Sequence, residues 1–199
     1  MSVHARSVLS ASARPVQVDG TAFATLPTIL DTAAAVLAKD PAVSLGQIAT
    51  AAGIGRTTLH KQFPTRYDLL VAVASRGLDI IESVTAAASV DPDPLRRLVG
   101  DLLPFGAHMT LLMQQPAVFT DDAITARTDA TAAPIAVIVA SAGSIRPGVP
   151  DWWLVRSLRS QLFTAWDLVQ MGWLAPRDAP DLVLSAFTRG VLTPSPETP

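Results

Sequence analysis

Cysteine is absent from all 199 residues, which excludes disulfides, thiolate nucleophiles and cysteine-ligated zinc. Histidine is nearly as scarce: His4, His60 and His108 are scattered, with no His-x-x-x-His pair to hold a metal. The chain also lacks a phosphate-cradling glycine loop and a Gly-x-Ser-x-Gly elbow. Asp91-Pro92-Asp93 and Asp121-Asp122 read as solvated carboxylates at helix entries, with no partner groups for acid–base work. These absences argue against an enzyme, and no catalytic residue, metal or cofactor is expected. No apolar run reaches the ~18–20 residues of a membrane span. The first 25 residues hold Arg6 and Arg14 but no continuous apolar stretch of the signal-peptide kind. The expectation is a cytoplasmic protein with no membrane partner.

What is present is apolar and helical. Hydrophobic residues make up 49% of the chain, enough for a packed core. The net charge of −2 is unevenly spread. Residues 1–76 carry seven Lys/Arg against four acids, and the remainder carries eight against thirteen. A basic head on an acidic body suits contact with nucleic acid, because phosphate neutralisation dominates duplex affinity. Chance unevenness remains the plainer explanation of the charge split taken alone.

The chain reads as all-α, with no repeat and no strand-like alternation. Residues 1–25 lack a sustained period and form a flexible arm. Leu26, Ile29, Leu30, Ala33, Val36 and Leu37 give one apolar face to a first helix ending at Asp40-Pro41. Ser44-Leu45-Gly46-Gln47 has capping-box form and opens a short helix through Ala51. Gly53 supplies a turn, and a further helix runs from about Arg56 to Phe63. After Pro64, Thr65 caps a long helix reaching about Ala88. Further helices are expected over 94–103, 105–115, 120–141, 151–172 and 179–191, with Pro134 a possible kink and 192–199 an irregular, disordered tail. The domains are then a head over 26–70 and a body over 71–191.

The segment from Ser44 to Phe63 meets the steric demands of a helix-turn-helix. Ala49 is small where two helices must cross, and Gly53 tolerates the positive φ of the turn. Ile54, Leu59 and Phe63 anchor the second helix in the core. Arg56 and His60 stand one turn apart, as do Thr57 and Lys61, so the four can face a major groove together.

The stretch from Ile29 through Val73 resembles the DNA-binding domain of the TetR/AcrR family of repressors. The resemblance rests on ILDTAAAVLA, S-L-x-x-I-A, A-x-A-A-G-I, Thr58-Leu59 and F-P-T-R before the next helix. It implies that Arg56 and Thr57 face base edges, while Thr58 and His60 bond phosphates or nearby bases. Arg66 is implied to sit on a phosphate at the start of the linking helix, and Ser44 to touch one while capping its own. Lys61 completes the expected reading edge. Three positions depart from the family pattern: Gly55 replaces a capping Ser or Thr, Thr57 a glycine, and His60 a tyrosine. Gly46 offers no side chain where some members place a base-reading residue.

Helix-turn-helix heads work in pairs, so a homodimer on double-stranded, palindromic operator DNA is expected. The helix over 151–172 is apolar on two sides. Its smaller stripe, Leu154, Leu158, Ala165 and Leu168, suits a partner helix, and its aromatic stripe, with Trp152, Phe163 and Trp166, the interior. Leu182, Val183, Ala186 and Phe187 of the last helix would complete a four-helix interface. A central helix in a monomer would also be buried on two sides. Phe105, His108, Met109, Leu112, Met113, Phe163, Trp166 and Gln170 are candidates for a pocket taking a neutral or weakly charged, hydrophobic effector. Ordinary core is the competing reading of each. The functional expectation is a ligand-responsive regulator, a repressor by family resemblance. Its rival is a small-molecule sensor or adaptor of the same fold that has lost DNA binding. Arg56, Lys61 and Arg66 weigh against that rival.

Overall fold

The computed structural model describes residues 25–193; the arm and tail expected from sequence lie outside them over 1–24 and 194–199. Ten α-helices run in order: α1 Leu26–Lys39, α2 Leu45–Ala51, α3 Arg56–Gln62, α4 Arg66–Ala88, α5 Pro94–Leu102, α6 Gly106–Gln114, α7 Asp122–Ala130, α8 Ala132–Ser141, α9 Asp151–Gln170 and α10 Ala179–Val191. Short 3₁₀ turns occupy Leu103–Phe105 and Pro116–Thr120.

Caps set most of these boundaries. Ser44 and Gln47 form the reciprocal capping box of α2, and Thr65 and Asp68 form another at α4. The Thr25 side chain caps α1 and tolerates Pro27 in the first turn, where a missing N–H costs nothing. α9 is closed off just past its C-cap Met171 by Gly172, whose φ of 73° is the left-handed cap conformation. The Trp173 amide then donates back to the Leu168 carbonyl at 2.9 Å, closing the last turn.

Packing makes one continuous core. Ile29, Ala33, Ile48, Leu59 and Leu69 are buried at the head end, and Leu98, Leu111, Val139, Leu158 and Phe187 in the body. The 23-residue α4 runs through both, about 35 Å long at 1.5 Å per residue. Its Leu69, Leu70, Val73 and Ala74 are buried on the head side, and Leu78 and Ile81 further along. α6 packs against α1 as well as α4, so the first helix of the head is clasped by the body.

Two expectations about the elements need correction. The helix expected over 120–141 is two, α7 and α8, interrupted at Thr131. Pro134 has no N–H to donate to the Ala130 carbonyl, so α7 ends there and Pro134 sits in the first turn of α8. Residues 122–141 reach a mean hydropathy of 1.3 over an 18-residue window, but the two helices have nine and ten residues. Each is about half the ~20 residues of a membrane span. The tail, expected to be irregular from 192, is tied down at its start. The Thr193 amide donates to the Ser144 carbonyl at 2.9 Å, the Arg146 amide donates to Val191 at 2.8 Å, and Leu192 is buried. An apolar side chain that finds a core site holds its backbone with it.

Candidate DNA-reading surface and effector cavity

The helix-turn-helix geometry follows from the residues at its crossing. Gly53 takes φ of 68°, a region that costs a residue with a Cβ about 1–2 kcal/mol. The Ile54 amide then donates to the Ala49 carbonyl at 3.0 Å, and Ala49 and Leu59 are buried where α2 meets α3. With Leu59 turned inward, Arg56, Thr57, His60 and Lys61 are exposed and Thr58 is half-buried. Gly55 caps α3 with no side-chain bond. A Cβ on Gly46 would lie 3.8 Å from Cδ of Arg56, so the stem of Arg56 passes over the glycine. The bare position on α2 is flanked by the aliphatic stem of an α3 residue.

Arg66 has partners inside the head. Its guanidinium donates to the carbonyls of Pro41 and Val43 in the α1–α2 connection. These bonds use two of the five N–H donors of the guanidinium. Arg66 therefore fastens α4 to the head. The hydroxyl of Ser44 is engaged with Gln47, donating to Oε1 at 2.8 Å and accepting from the amide at 3.3 Å.

The body holds a cavity of about 520 Å³. Leu78 and Ile81 of α4, Leu98 and Leu102 of α5, and Met109 and Leu112 of α6 form its apolar wall. Thr128, Asp129 and Thr131 line it at the α7–α8 break, and α9 adds Trp152, Arg156, Leu158, Arg159 and Leu162. This size is within the range that takes drug-sized molecules. Of the eight pocket candidates from sequence, Met109 and Leu112 reach the wall. The indole of Trp166 lies against the backbone of Gly106, where a Cβ would overlap it. Phe105 and Phe163 are half-buried away from the cavity, Gln170 is exposed, and the side chain of Met113 lies outside the described residues. The charged wall residues, none of them among those candidates, are Asp129, Arg156 and Arg159. Two arginines three apart on an apolar helix were the available signal.

The family model for bacterial regulatory proteins of the tetR family matches residues 29–73. The HTH-type transcriptional repressor LfrR of Mycolicibacterium smegmatis is 32% identical over 175 residues, spanning 83% of this chain and 89% of that relative. The chain belongs to the TetR family. The crystal structure of LfrR from Mycobacterium smegmatis in complex with proflavine superposes with a TM-score of 0.69 at 30% identity, covering 84% of this chain and 97% of that one. A TetR-like regulator from Rhodococcus sp. RHA1 shares the fold, with a TM-score of 0.58 at 23% identity over 82% of this chain and 93% of its own. As a TetR-family protein the chain is a ligand-responsive, DNA-binding transcriptional regulator.

The surface of this TetR-family chain differs from the expected dimer stripe. Leu154, Leu158, Ala165, Val183 and Phe187 are buried within the protomer. Only Leu182 and Ala186, which are exposed, and Leu168, which is half-buried, keep surface for a second copy. The two stripes of α9 are in part reversed. The smaller residues pack inward against α10 and α6, while Trp152 and Trp153 are 63% and 49% exposed.

His108 sits between head and body. Its Nε2 lies 3.2 Å from Asp31 Oδ1 on α1, without hydrogen-bond alignment, and Arg76 of α4 donates to the same carboxylate at 3.1 Å. Burial pushes the imidazole below its ordinary pKa; Asp31 opposes this and Arg76 adds to it. The folded chain therefore holds His108 neutral where the unfolded chain would protonate. Stability is fully present above about pH 6.5 and declines as the pH falls through the lowered value. In denaturant melts across that range, His108→Gln should flatten this decline. An unaltered slope would show that other groups cause it.

Proposed function

We propose that this chain is a homodimeric repressor whose two α3 helices enter successive major grooves of a palindromic operator, about 34–36 Å apart. Arg56, Thr57, His60 and Lys61 form the reading edge, and Thr58 and Ser44 lie beside it near the backbone. Arg56, on the first turn of α3, is the candidate for a bidentate guanine contact. The reading has no catalytic step, and it places the protein in the cytoplasm with its DNA. The head over 26–70 reads DNA, and the body over 71–191 holds the effector and the second copy.

The observation that carries the proposal is the path of α4. Its first residue, Arg66, holds the α1–α2 connection of the head, and Leu78 and Ile81 form part of the cavity wall. Twelve to fifteen residues separate them, about 18–22 Å along one helix. A molecule that fits the cavity better in one position of α4 shifts the spacing of the two heads, and so the affinity for DNA. LfrR was solved with proflavine, which supports a small-molecule effector here as well.

The test is titration of the purified protein against its own upstream DNA, varying salt and unrelated competitor. Sequence-selective binding that weakens steeply with salt is expected. Absence of binding at low salt, with the dimer intact, would favour a sensor that has left DNA. Equal DNA affinity with and without a bound effector would refute the coupling.

A further inference from the structure

The cavity wall is apolar except for Thr128, Asp129, Thr131, Arg156 and Arg159, which set two cations against one carboxylate. Arg156 and Arg159 stand three residues apart on α9, and side chains at that spacing share a helix face. The Nε of Arg159 is buried and has no hydrogen-bond partner among the described residues. Its guanidinium is pushed below its ordinary pKa, first by burial and then by the like charge of Arg156. Arg159 is half-buried and Arg156 exposed, and arginine does not lose its proton in proteins, so the desolvated part of the Arg159 guanidinium is relieved by a counter-ion and not by neutralisation. Asp129, on the α7–α8 side, is the one carboxylate on the described wall, and it is exposed and forms no ion pair with either arginine. The acids of the adjacent α4 are engaged elsewhere: Asp79 and Glu82 both pair with Arg127, at 2.7 and 2.9 Å.

From this geometry we infer that the cavity takes an amphipathic organic anion, its apolar body against Leu78, Ile81, Leu98 and Met109 and its carboxylate or sulfonate head on Arg159 and Arg156. The inference rests on the reading of the cavity as an effector site and names the charge class of the effector. It replaces the neutral or weakly charged molecule expected from sequence. The neutral part of that expectation came from apolar positions alone and gave no weight to the two arginines.

The experiment compares three probes of equal chain length, each below its micelle concentration or solubility limit: decanoate, decanol and decyltrimethylammonium. Binding to the full chain is read by calorimetry and by tryptophan fluorescence, to which Trp152 of the cavity wall contributes. Decanoate is expected to bind about tenfold or more tighter than decanol, the worth of one charged hydrogen bond. The ammonium probe is expected to bind weakest. Arg156→Gln with Arg159→Gln should abolish the advantage of decanoate, leave decanol unchanged, and raise the affinity for proflavine, which is a planar cation. Sedimentation of the double variant as a dimer like the parent is part of the expected result. A shift to monomer with decanoate binding retained would assign the arginines to the subunit contact and overturn the inference. Decanol binding with no preference for decanoate would overturn the charge assignment and leave the effector cavity standing. Silence from all three probes would overturn the cavity reading, and this inference with it.

Discussion

Arg56→Ala combined with Lys61→Ala abolishes sequence-selective DNA binding in an anisotropy titration, while the thermal melt and the sedimentation profile stay as in the parent. Both side chains are exposed on α3, and neither has a hydrogen-bond or ion-pair partner among the described residues. Their removal therefore leaves no buried group unsatisfied, and surface changes of this kind shift stability by about 0.5 kcal/mol or less. On DNA the loss is large. A bidentate arginine–guanine contact contributes about 1–3 kcal/mol of discrimination, and a dimer uses it twice. Loss of Lys61 should lower the slope of log affinity against log salt by about one per protomer. Parental affinity in the double variant would sink the proposed reading edge.

Phe187→Ala lowers the stability of the protomer by about 3–5 kcal/mol, the usual cost of emptying an aromatic core site. Phe187 is fully buried on α10. The loss should appear equally at high and low protein concentration, because the cavity forms inside one chain. Against a total stability of about 5–15 kcal/mol, it is a large fraction. Leu182→Asp makes the contrast. Leu182 is 50% exposed on the same helix, so the protomer should keep its melt while sedimentation moves from dimer toward monomer. A concentration-dependent effect of Phe187→Ala, with none from Leu182→Asp, would return the dimer contact to the stripe expected from sequence.

The head was legible because its constraints are local. Ser44-x-x-Gln47 can do little except cap a helix, Gly53 reports a positive φ, and Leu59 between polar neighbours reports which side of α3 is buried. The intramolecular role of Arg66 is one that a sequence cannot show. Its partners, Pro41 and Val43, lie 25 and 23 residues away, and only folding brings their carbonyls to it. A cation near DNA and a cation stapling a loop look alike in one dimension.

The body was legible as helices but not as surfaces. Periodicity assigned α9 two apolar sides, and nothing in the period says which side meets the protomer and which a partner. Leu158 is inward because α10 and α6 pack against α9, and Phe187 because α9 and α5 pack against α10; the pairing of helices far apart in the chain is a tertiary fact. The cavity is the extreme case. Its wall draws on α4, α5, α6, α9 and the break between α7 and α8, so no contiguous stretch carries its signature. The sequence by itself determined the helices, their caps and the reading helix, because capping and amphipathicity act over a few residues. The tertiary structure alone decided the site of Arg66, the faces of α9 and the charge of the cavity wall, because contacts and desolvation depend on which distant residues share a space.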